Sequence, residues 1–129
     1  MTLTGPKVTF LPIQIKQDKI RHIVQLSQSH FVQKNPFYIL THTDAATEYI
    51  DKLLWETPKH SFLPHGLGET IDIGQAIPEE TYIILNTTPL PCQKIGATHI
   101  YEFAGSSVNE MEVKEKISYY KSIHATIIG

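Results

Sequence analysis

Hydrophobic residues along this chain occur alternately in short continuous runs and at helical spacing. Val8 to Leu11 is one such run, and it predicts a β-strand that ends at Pro12. From Gln17 to Lys34 the apolar residues recur at helical spacing opposite a polar face, which predicts an amphipathic helix ended by Asn35-Pro36. The chain therefore begins as a strand followed by a helix.

The same alternation continues up to residue 58. Phe37 to Leu40 is a continuous apolar run, typical of a strand that is covered on both faces. Asp44 can cap a second helix. The apolar stripe of this helix has the spacing of one helical face and consists of Ala46, Tyr49, Ile50, Leu53 and Leu54. We expect the helix to stop at Pro58.

The second half of the chain contains shorter segments. Strands are predicted at Ser61 to Leu63, Ile71 to Ile73, Tyr82 to Leu85 and His99 to Phe103, with Ala125 to Ile128 as an edge strand or an extended tail. Between the third and fourth of these, Leu90 to Gly96 predicts one short helix. Ser107 and Glu110 form a Ser-x-x-Glu capping box, which predicts a last helix that runs to about Ser122.

This alternation of strands and helices predicts the fold class. It indicates an α/β fold, a Rossmann-like three-layer sandwich with a mostly parallel sheet and helices on both faces. The 129 residues show no internal repeat, and 41% of them are hydrophobic. We therefore expect a single globular domain over residues 1–129.

Charge and cysteine content narrow the functional classes. The net charge of −2 argues against a dedicated duplex-DNA binder, which normally carries a basic excess, although a local basic patch is compatible with it. The single cysteine, Cys92, excludes an internal disulfide and a cysteine-rich metal site. Neither a signal peptide nor an apolar run of about 20 residues is present, so we expect a soluble, cytoplasmic protein with no membrane contact.

Nucleotide and metal chemistry have no clear sequence signature. The first strand is not followed by Gly-x-Gly-x-x-Gly, and Gly66 with Gly68 gives only Gly-x-Gly. The Rossmann-like outline is therefore expected to have no nucleotide-binding loop and no cofactor. The seven histidines lack metal-ligand spacing, so no metal site is expected. His65 and Glu69, on a predicted surface loop, are the candidate acid–base pair of an alternative function, a small enzyme.

The segment from Leu53 to Glu69 is the most distinctive part of the sequence. It reads Leu-Leu-Trp-Glu-Thr-Pro-Lys-His-Ser-Phe-Leu-Pro-His-Gly-Leu-Gly-Glu. This order resembles the hallmark of the chi subunit of bacterial DNA polymerase III holoenzyme. In that family a helix ending in Leu-Trp is followed by a proline-containing turn and Ser-Phe-aliphatic-Pro-His-x-Leu. Weaker similarities to the family's later strands and last helix occur at Tyr82 to Thr87, Ile100 to Phe103 and Tyr119 to Lys121.

The resemblance implies a non-catalytic replication accessory subunit. Such a subunit would bridge the clamp loader, through the psi subunit, and the C-terminal tail of single-stranded DNA-binding protein, and it would meet DNA only indirectly. The psi-docking residues implied are Phe62, Leu63 and Pro64. Neighbouring residues of a strand face opposite sides, so one of the two apolar residues can point outwards and anchor a partner. The alternative is that the segment is only core and turn, which we favour for Trp55 and Pro58.

The last helix is the second implied binding surface. Its candidate residues for the acidic tail are Lys114, Lys116, Tyr119, Tyr120 and Lys121. Lysines attract the carboxylates of such a tail, and a tyrosine-lined pocket accepts its terminal aromatic ring. The helix departs from the family in having less arginine and in carrying Glu110, Glu112 and Glu115. A solvated helix face of mixed charge, or a module for an unrelated peptide, is therefore an open alternative.

Overall fold

The chain forms most of the predicted strands and helices in the predicted order. A computed structural model describes residues 5–56, 71–94, 96–105 and 109–129. In those residues the elements are β1 (Lys7–Pro12), α1 (Lys16–Val32), β2 (Phe37–Leu40), α2 (Asp44–Glu56), β3 (Ile71–Gly74), β4 (Ile83–Asn86), β5 (His99–Ala104), α3 (Glu110–Ser122) and β6 (Thr126–Ile128). The strand predicted at Ser61 to Leu63 and the helix stop at Pro58 lie outside the described residues.

The strands form one sheet in the order β3-β2-β4-β5-β1-β6, and every pairing is parallel. The helices α1 and α2 cover one face, while α3 covers the other. This arrangement confirms the predicted α/β three-layer sandwich. The last strand, β6, pairs only with β1 at the end of the sheet, which confirms the predicted edge strand.

Alternation along the strands divides the buried side chains between two cores. On β5, Ile100 faces α3, whereas Tyr101 and Phe103, an odd number of residues away, face α1 and α2. The core beneath α1 and α2 includes Ile13, Ile23, Phe37, Ile39, Ile50, Leu54, Ile71, Leu85 and Phe103. The core beneath α3 includes Val8, Phe10, Ile84, Cys92, Ala97, Ile100 and Tyr120.

Two helices begin with a different cap from the one predicted. Thr43 Oγ1 accepts a hydrogen bond from Ala46 N at 3.1 Å, and Asp44 is already the first helical residue. The prediction that Asp44 caps α2 is therefore wrong by one position. Asn109 caps α3, since its Oδ1 accepts from Met111 N at 2.9 Å. Asn, like Ser, offers an acceptor to the free amides of the first turn, and it stands directly before the helix.

The short helix predicted between Leu90 and Gly96 is wrong for the part that the structure describes, residues 90–94 and 96, which are not helical. Asn86 Nδ2 instead donates to Leu90 O at 2.7 Å, which ties this connection to the end of β4. Pro89 and Pro91 disfavour helical backbone in the residues before them. The described part of this segment is a non-helical connection held by Asn86 of β4.

Candidate partner-binding surface around the last helix

The structure separates the five residues predicted on α3 into three groups. Lys116 and Tyr120 are buried, with exposed fractions of 6% and 0%. Lys114 and Lys121 are exposed, and Tyr119 is half-buried. Lys116 and Tyr120 therefore offer no surface contact to a peptide.

Helical geometry also separates Tyr119 from the exposed lysines. Successive residues of an α-helix turn by about 100°, which places Lys114 about 140° and Lys121 about 160° from Tyr119 around the axis. The two lysines share one flank of α3, and Tyr119 occupies the other. Lys114 also forms an ion pair with Glu110 on the helix surface, with Nζ and Oε1 3.6 Å apart. The described structure does not bring these lysines to Tyr119.

The buried lysine of α3 reaches across to the sheet. Lys116 Nζ donates to Glu102 Oε1 at 2.7 Å and to Thr88 O at 2.6 Å. Glu102 is on β5 and is fully buried, with an exposed fraction of 0%. Loss of one member of a buried charged pair destabilises the fold. The remaining charge then stays in the interior without a partner to offset its lost hydration.

The second oxygen of Glu102 is also occupied. Tyr120 Oη donates to Glu102 Oε2, and Asn86 Nδ2 donates to the same oxygen at 2.8 Å. Tyr120 Oη in turn accepts from Cys92 N at 2.8 Å. Glu102 thus joins α3, β4 and the connection before β5 in one network of satisfied polar groups. We call Glu102, Lys116, Tyr120, Asn86 and Thr88 the buried network.

Burial sets the ionisation of this network. It raises the pKa of Glu102, and the charge and hydrogen bonds of its neighbours, Lys116 first, act in the opposite direction. Burial also raises the pKa of Tyr120, and the adjacent Glu102 carboxylate adds to the effect. Since these groups are closed off from solvent and mutually bonded, they are suited to fixing α3 on the sheet and not to meeting a ligand.

Sequence reasoning missed Glu102 and Asn86 as important positions. The sequence did contain a signal for Glu102. Residues two apart on a strand point to the same face, so Glu102 faces the core beneath α3 together with Ile100 and Ala104. An acidic residue at such a position requires a buried partner. Nothing local in the sequence identifies Lys116 as that partner.

A cavity of about 580 Å³ lies beside α3 on the flank of Tyr119. Its walls come from the chain before β1, the connection before β5 and α3, and they consist of Gly5, Pro6, Gln93, Lys94, Gly96, Ala97, Thr98, Tyr119 and Ile123. Among the described residues that line it, Lys94 carries a charge and none is acidic. We call this the Tyr119 cavity.

The buried network supports the wall of the Tyr119 cavity. The rings of Tyr119 and Tyr120 meet edge to face, with centroids 5.6 Å apart. Because Tyr120 is held by Glu102 and Cys92, its ring is a fixed surface for Tyr119. On the far wall Lys94 Nζ donates to Glu79 O at 2.6 Å. The cavity therefore combines an aromatic wall with a cation.

The other predicted site residues are not placed. Phe62, Leu63 and Pro64, and with them His65 and Glu69, lie outside the described residues. Trp55 lies in the last turn of α2, immediately before that stretch. Within the described ranges, no three or more His, Cys, Asp or Glu side chains are grouped so that they could hold a metal ion. In the same ranges, no helix has the length and apolar character needed to span a membrane.

Comparison with known protein families gives one match. Residues 6–122 match the family described as DNA polymerase III chi subunit, HolC. The matched span runs from the start of β1 to the end of α3 and covers most of the 129 residues. No curated protein matches the chain in a sequence search.

Proposed function

Because the chain belongs to the DNA polymerase III chi subunit family, we propose that it is a non-catalytic adaptor that connects psi of the clamp loader with single-stranded DNA-binding protein. The match over residues 6–122 makes it an accessory subunit of the polymerase. The two partners, and the absence of catalysis, are the proposed part. The proposal assigns one surface to each partner.

The observation that carries the tail assignment is the Tyr119 cavity. Its volume of about 580 Å³ falls in the range that holds a small ligand or a side chain with its neighbours. An aromatic ring at the end of an acidic tail packs on Tyr119, and Lys94 lies close enough to the cavity to attract the terminal carboxylate. The tail-binding surface is thereby centred on one flank of α3.

The remaining residues predicted for the tail take other roles in this proposal. Lys114 and Lys121 act by long-range attraction, which salt weakens because the Debye length is about 8 Å at physiological ionic strength. Lys116 and Tyr120 act from inside the protein by holding Tyr119 in position. Two of the five residues are thus support for the binding surface.

The psi assignment rests on the segment from Leu53 to Glu69. Phe62 and Leu63 are adjacent apolar residues before Pro64, and an outward aromatic residue is a common anchor in protein interfaces. A tight contact with psi raises the effective concentration of the weak tail contact. The adaptor would in this way keep the polymerase machinery on strands coated by single-stranded DNA-binding protein.

Calorimetry with the acidic tail peptide of single-stranded DNA-binding protein tests the proposal. We expect binding by the wild type at roughly 50 mM NaCl, weaker binding at roughly 300 mM NaCl, and none measurable for Tyr119→Ala. Tyr82→Ala removes an exposed tyrosine immediately before β4 and is the matched control. Absence of heat with folded wild-type protein, or equal binding by Tyr119→Ala, would overturn the tail assignment.

A further inference from the structure

A second concave surface lies on the other face of the sheet, between the first turns of α1 and α2. It has a volume of about 380 Å³ and is lined by Lys16, Lys19, Ile20, Ile23, Ala46, Tyr49, Ile50, Thr87 and Phe103. Both helices follow directly on the carboxyl ends of their strands, and such ends are where α/β sheets most often bind ligands. We call it the α1–α2 groove.

The floor of the α1–α2 groove is apolar. It is formed by Ile20 and Ile23 of α1, Ile50 of α2 and the ring of Phe103, which is 7% exposed. At the rim Tyr49 is 57% exposed. An apolar floor with an exposed aromatic rim is a surface that gains free energy when a partner covers it.

The charge of the groove is positive. Lys16 and Lys19 lie on the same side of α1 as Ile20 and Ile23, because residues three, four and seven apart share a helix face. Lys19 Nζ lies 5.8 Å from the centroid of the Phe103 ring, directly above the floor. None of the described residues that line the groove is acidic.

The acidic residues near the start of both helices point elsewhere. Asp18 accepts hydrogen bonds from Gln14 N at 2.9 Å and Ile15 N at 3.1 Å and pairs with Arg21 at 3.0 Å. Around the axis of α2, the acidic residues between 44 and 51 are turned about 140–160° away from Ala46, which lines the groove. These residues are Asp44, Glu48 and Asp51. The two lysines therefore determine the local potential of the groove.

We propose that the α1–α2 groove binds an acidic peptide segment of a partner protein. A large apolar side chain of the segment packs on Ile20 and Ile50, and flanking carboxylates pair with Lys16 and Lys19. This site is separate from the Tyr119 cavity, because α3 lies on the opposite face of the sheet. The proposal therefore goes beyond the tail assignment and does not depend on it.

Two other occupants fit the groove less well. Single-stranded nucleic acid needs exposed ring faces for stacking, and Phe103 is buried, which leaves Tyr49 alone among the lining residues. A second copy of the chain in a two-fold contact would place Lys16 and Lys19 of both copies in one interface. Like charges facing each other oppose that contact.

Nuclear magnetic resonance can locate the site directly. The probe is the hexapeptide Asp-Asp-Leu-Phe-Asp-Asp, acetylated and amidated so that it lacks the free terminal carboxylate of a protein tail. Titrated into the ¹⁵N-labelled full chain, it is expected to shift amide signals most between residues 16 and 20 and between 46 and 50. Shifts centred on Tyr119, or none at all, would overturn the proposal.

Matched variants test the chemistry of the groove. Lys16→Ser with Lys19→Ser is expected to weaken hexapeptide binding about tenfold, since each exposed pair contributes modestly. Lys7→Ser with Lys34→Ser removes the same charge from exposed positions outside the groove and is expected to leave binding unchanged. Equal weakening of hexapeptide binding by both double variants would show that binding depends only on the net charge of the protein. That result would overturn the proposal.

Two further measurements test the rival occupants. An oligothymidylate of eight nucleotides is expected to bind the groove more weakly than the hexapeptide. Tighter binding that shifts the same amide signals would identify nucleic acid, and not a peptide, as the ligand of the groove. Light scattering is expected to show no dimer that depends on Lys16 and Lys19. A dimer that is abolished by Lys16→Ser with Lys19→Ser would identify a second copy of the chain, and not a peptide, as the occupant of the groove.

Discussion

Lys116 of α3 donates a hydrogen bond to Glu102 of β5 over 2.7 Å, although both side chains are buried. The pair fixes the position of the last helix on the sheet, since both oxygens of Glu102 are bonded only when α3 is in this register. The helix that we propose to carry the tail site is therefore fixed on the sheet by buried contacts.

Replacing one member of the pair should destabilise the fold strongly. In Lys116→Met the Glu102 carboxylate stays buried without its cation, which we expect to lower the free energy of unfolding by about 3 kcal/mol. Lys116→Met with Glu102→Leu removes both charges and should recover most of that loss. Urea denaturation measures both variants. A loss below about 1 kcal/mol in the single variant would contradict a structural role for the pair.

Tyr120 should make the protein sensitive to alkali. Its pKa is raised by burial and by the Glu102 carboxylate, so the unfolded chain loses the phenol proton at lower pH than the folded protein does. The stabilisation by the neutral phenol is complete below the ordinary pKa of about 10 and is lost as pH rises above it. We expect the free energy of unfolding to fall more steeply above pH 10 in wild type than in Tyr120→Phe.

Two other tyrosines should also contribute to the loss of stability at alkaline pH. Burial also raises the pKa of Tyr38 and Tyr101, so some pH dependence should remain in Tyr120→Phe. Absorbance at about 295 nm follows phenolate formation, and circular dichroism follows unfolding over the same titration. Identical slopes in wild type and Tyr120→Phe would show that Tyr120 ionises as freely in the folded protein as in the unfolded chain.

His30 should make the protein sensitive to acid. Burial, and to a lesser degree the charge of His99, lower the pKa of His30, whose ring stacks on Phe37 with centroids 4.8 Å apart. The unfolded chain takes up the proton at about pH 6.5, while the folded protein does so only at lower pH. The stabilisation present above pH 6.5 is therefore lost as pH falls below it.

Two histidine variants separate this effect from general acid unfolding. His30→Gln should flatten the fall in the free energy of unfolding between about pH 6.5 and 5, because Gln does not titrate. His42→Gln replaces an exposed histidine and should leave the fall unchanged. Thermal unfolding monitored across this pH range gives the comparison. The same slope for His30→Gln and wild type would exclude His30 as the source.

Phe62 should be an anchor for psi. If it points outwards, Phe62→Ala should weaken the complex by about 2 kcal/mol, or roughly thirtyfold, as expected for a buried aromatic anchor. Co-purification of psi at several salt concentrations measures this, together with Leu63→Ala. Tyr82→Ala, which removes an exposed ring elsewhere, is the control. Equal recovery of psi by wild type and Phe62→Ala would remove Phe62 from the interface.

Much of the fold was predictable because its signals are local. The apolar run Phe37 to Leu40 is a buried central strand, β2, and the stripe from Ala46 to Leu54 lies on α2. Periodicity reports which face of an element is buried, and that is sufficient to predict an α/β sandwich. The N-cap residues were harder to predict, because several neighbouring polar residues can each cap a helix. Thr43 and Asn109 act as caps in place of Asp44 and Ser107.

The candidate site was less predictable, because it depends on contacts between distant residues. The charge pattern of the last helix predicts a surface position for Lys116, but the tertiary structure buries it. The sequence by itself determined most of the elements, in their order, and the family, through patterns and a motif that are contiguous along the chain. Only the tertiary structure decided which lysine faces Glu102 and which tyrosine lines the cavity, since helix rotation is set by packing on the sheet.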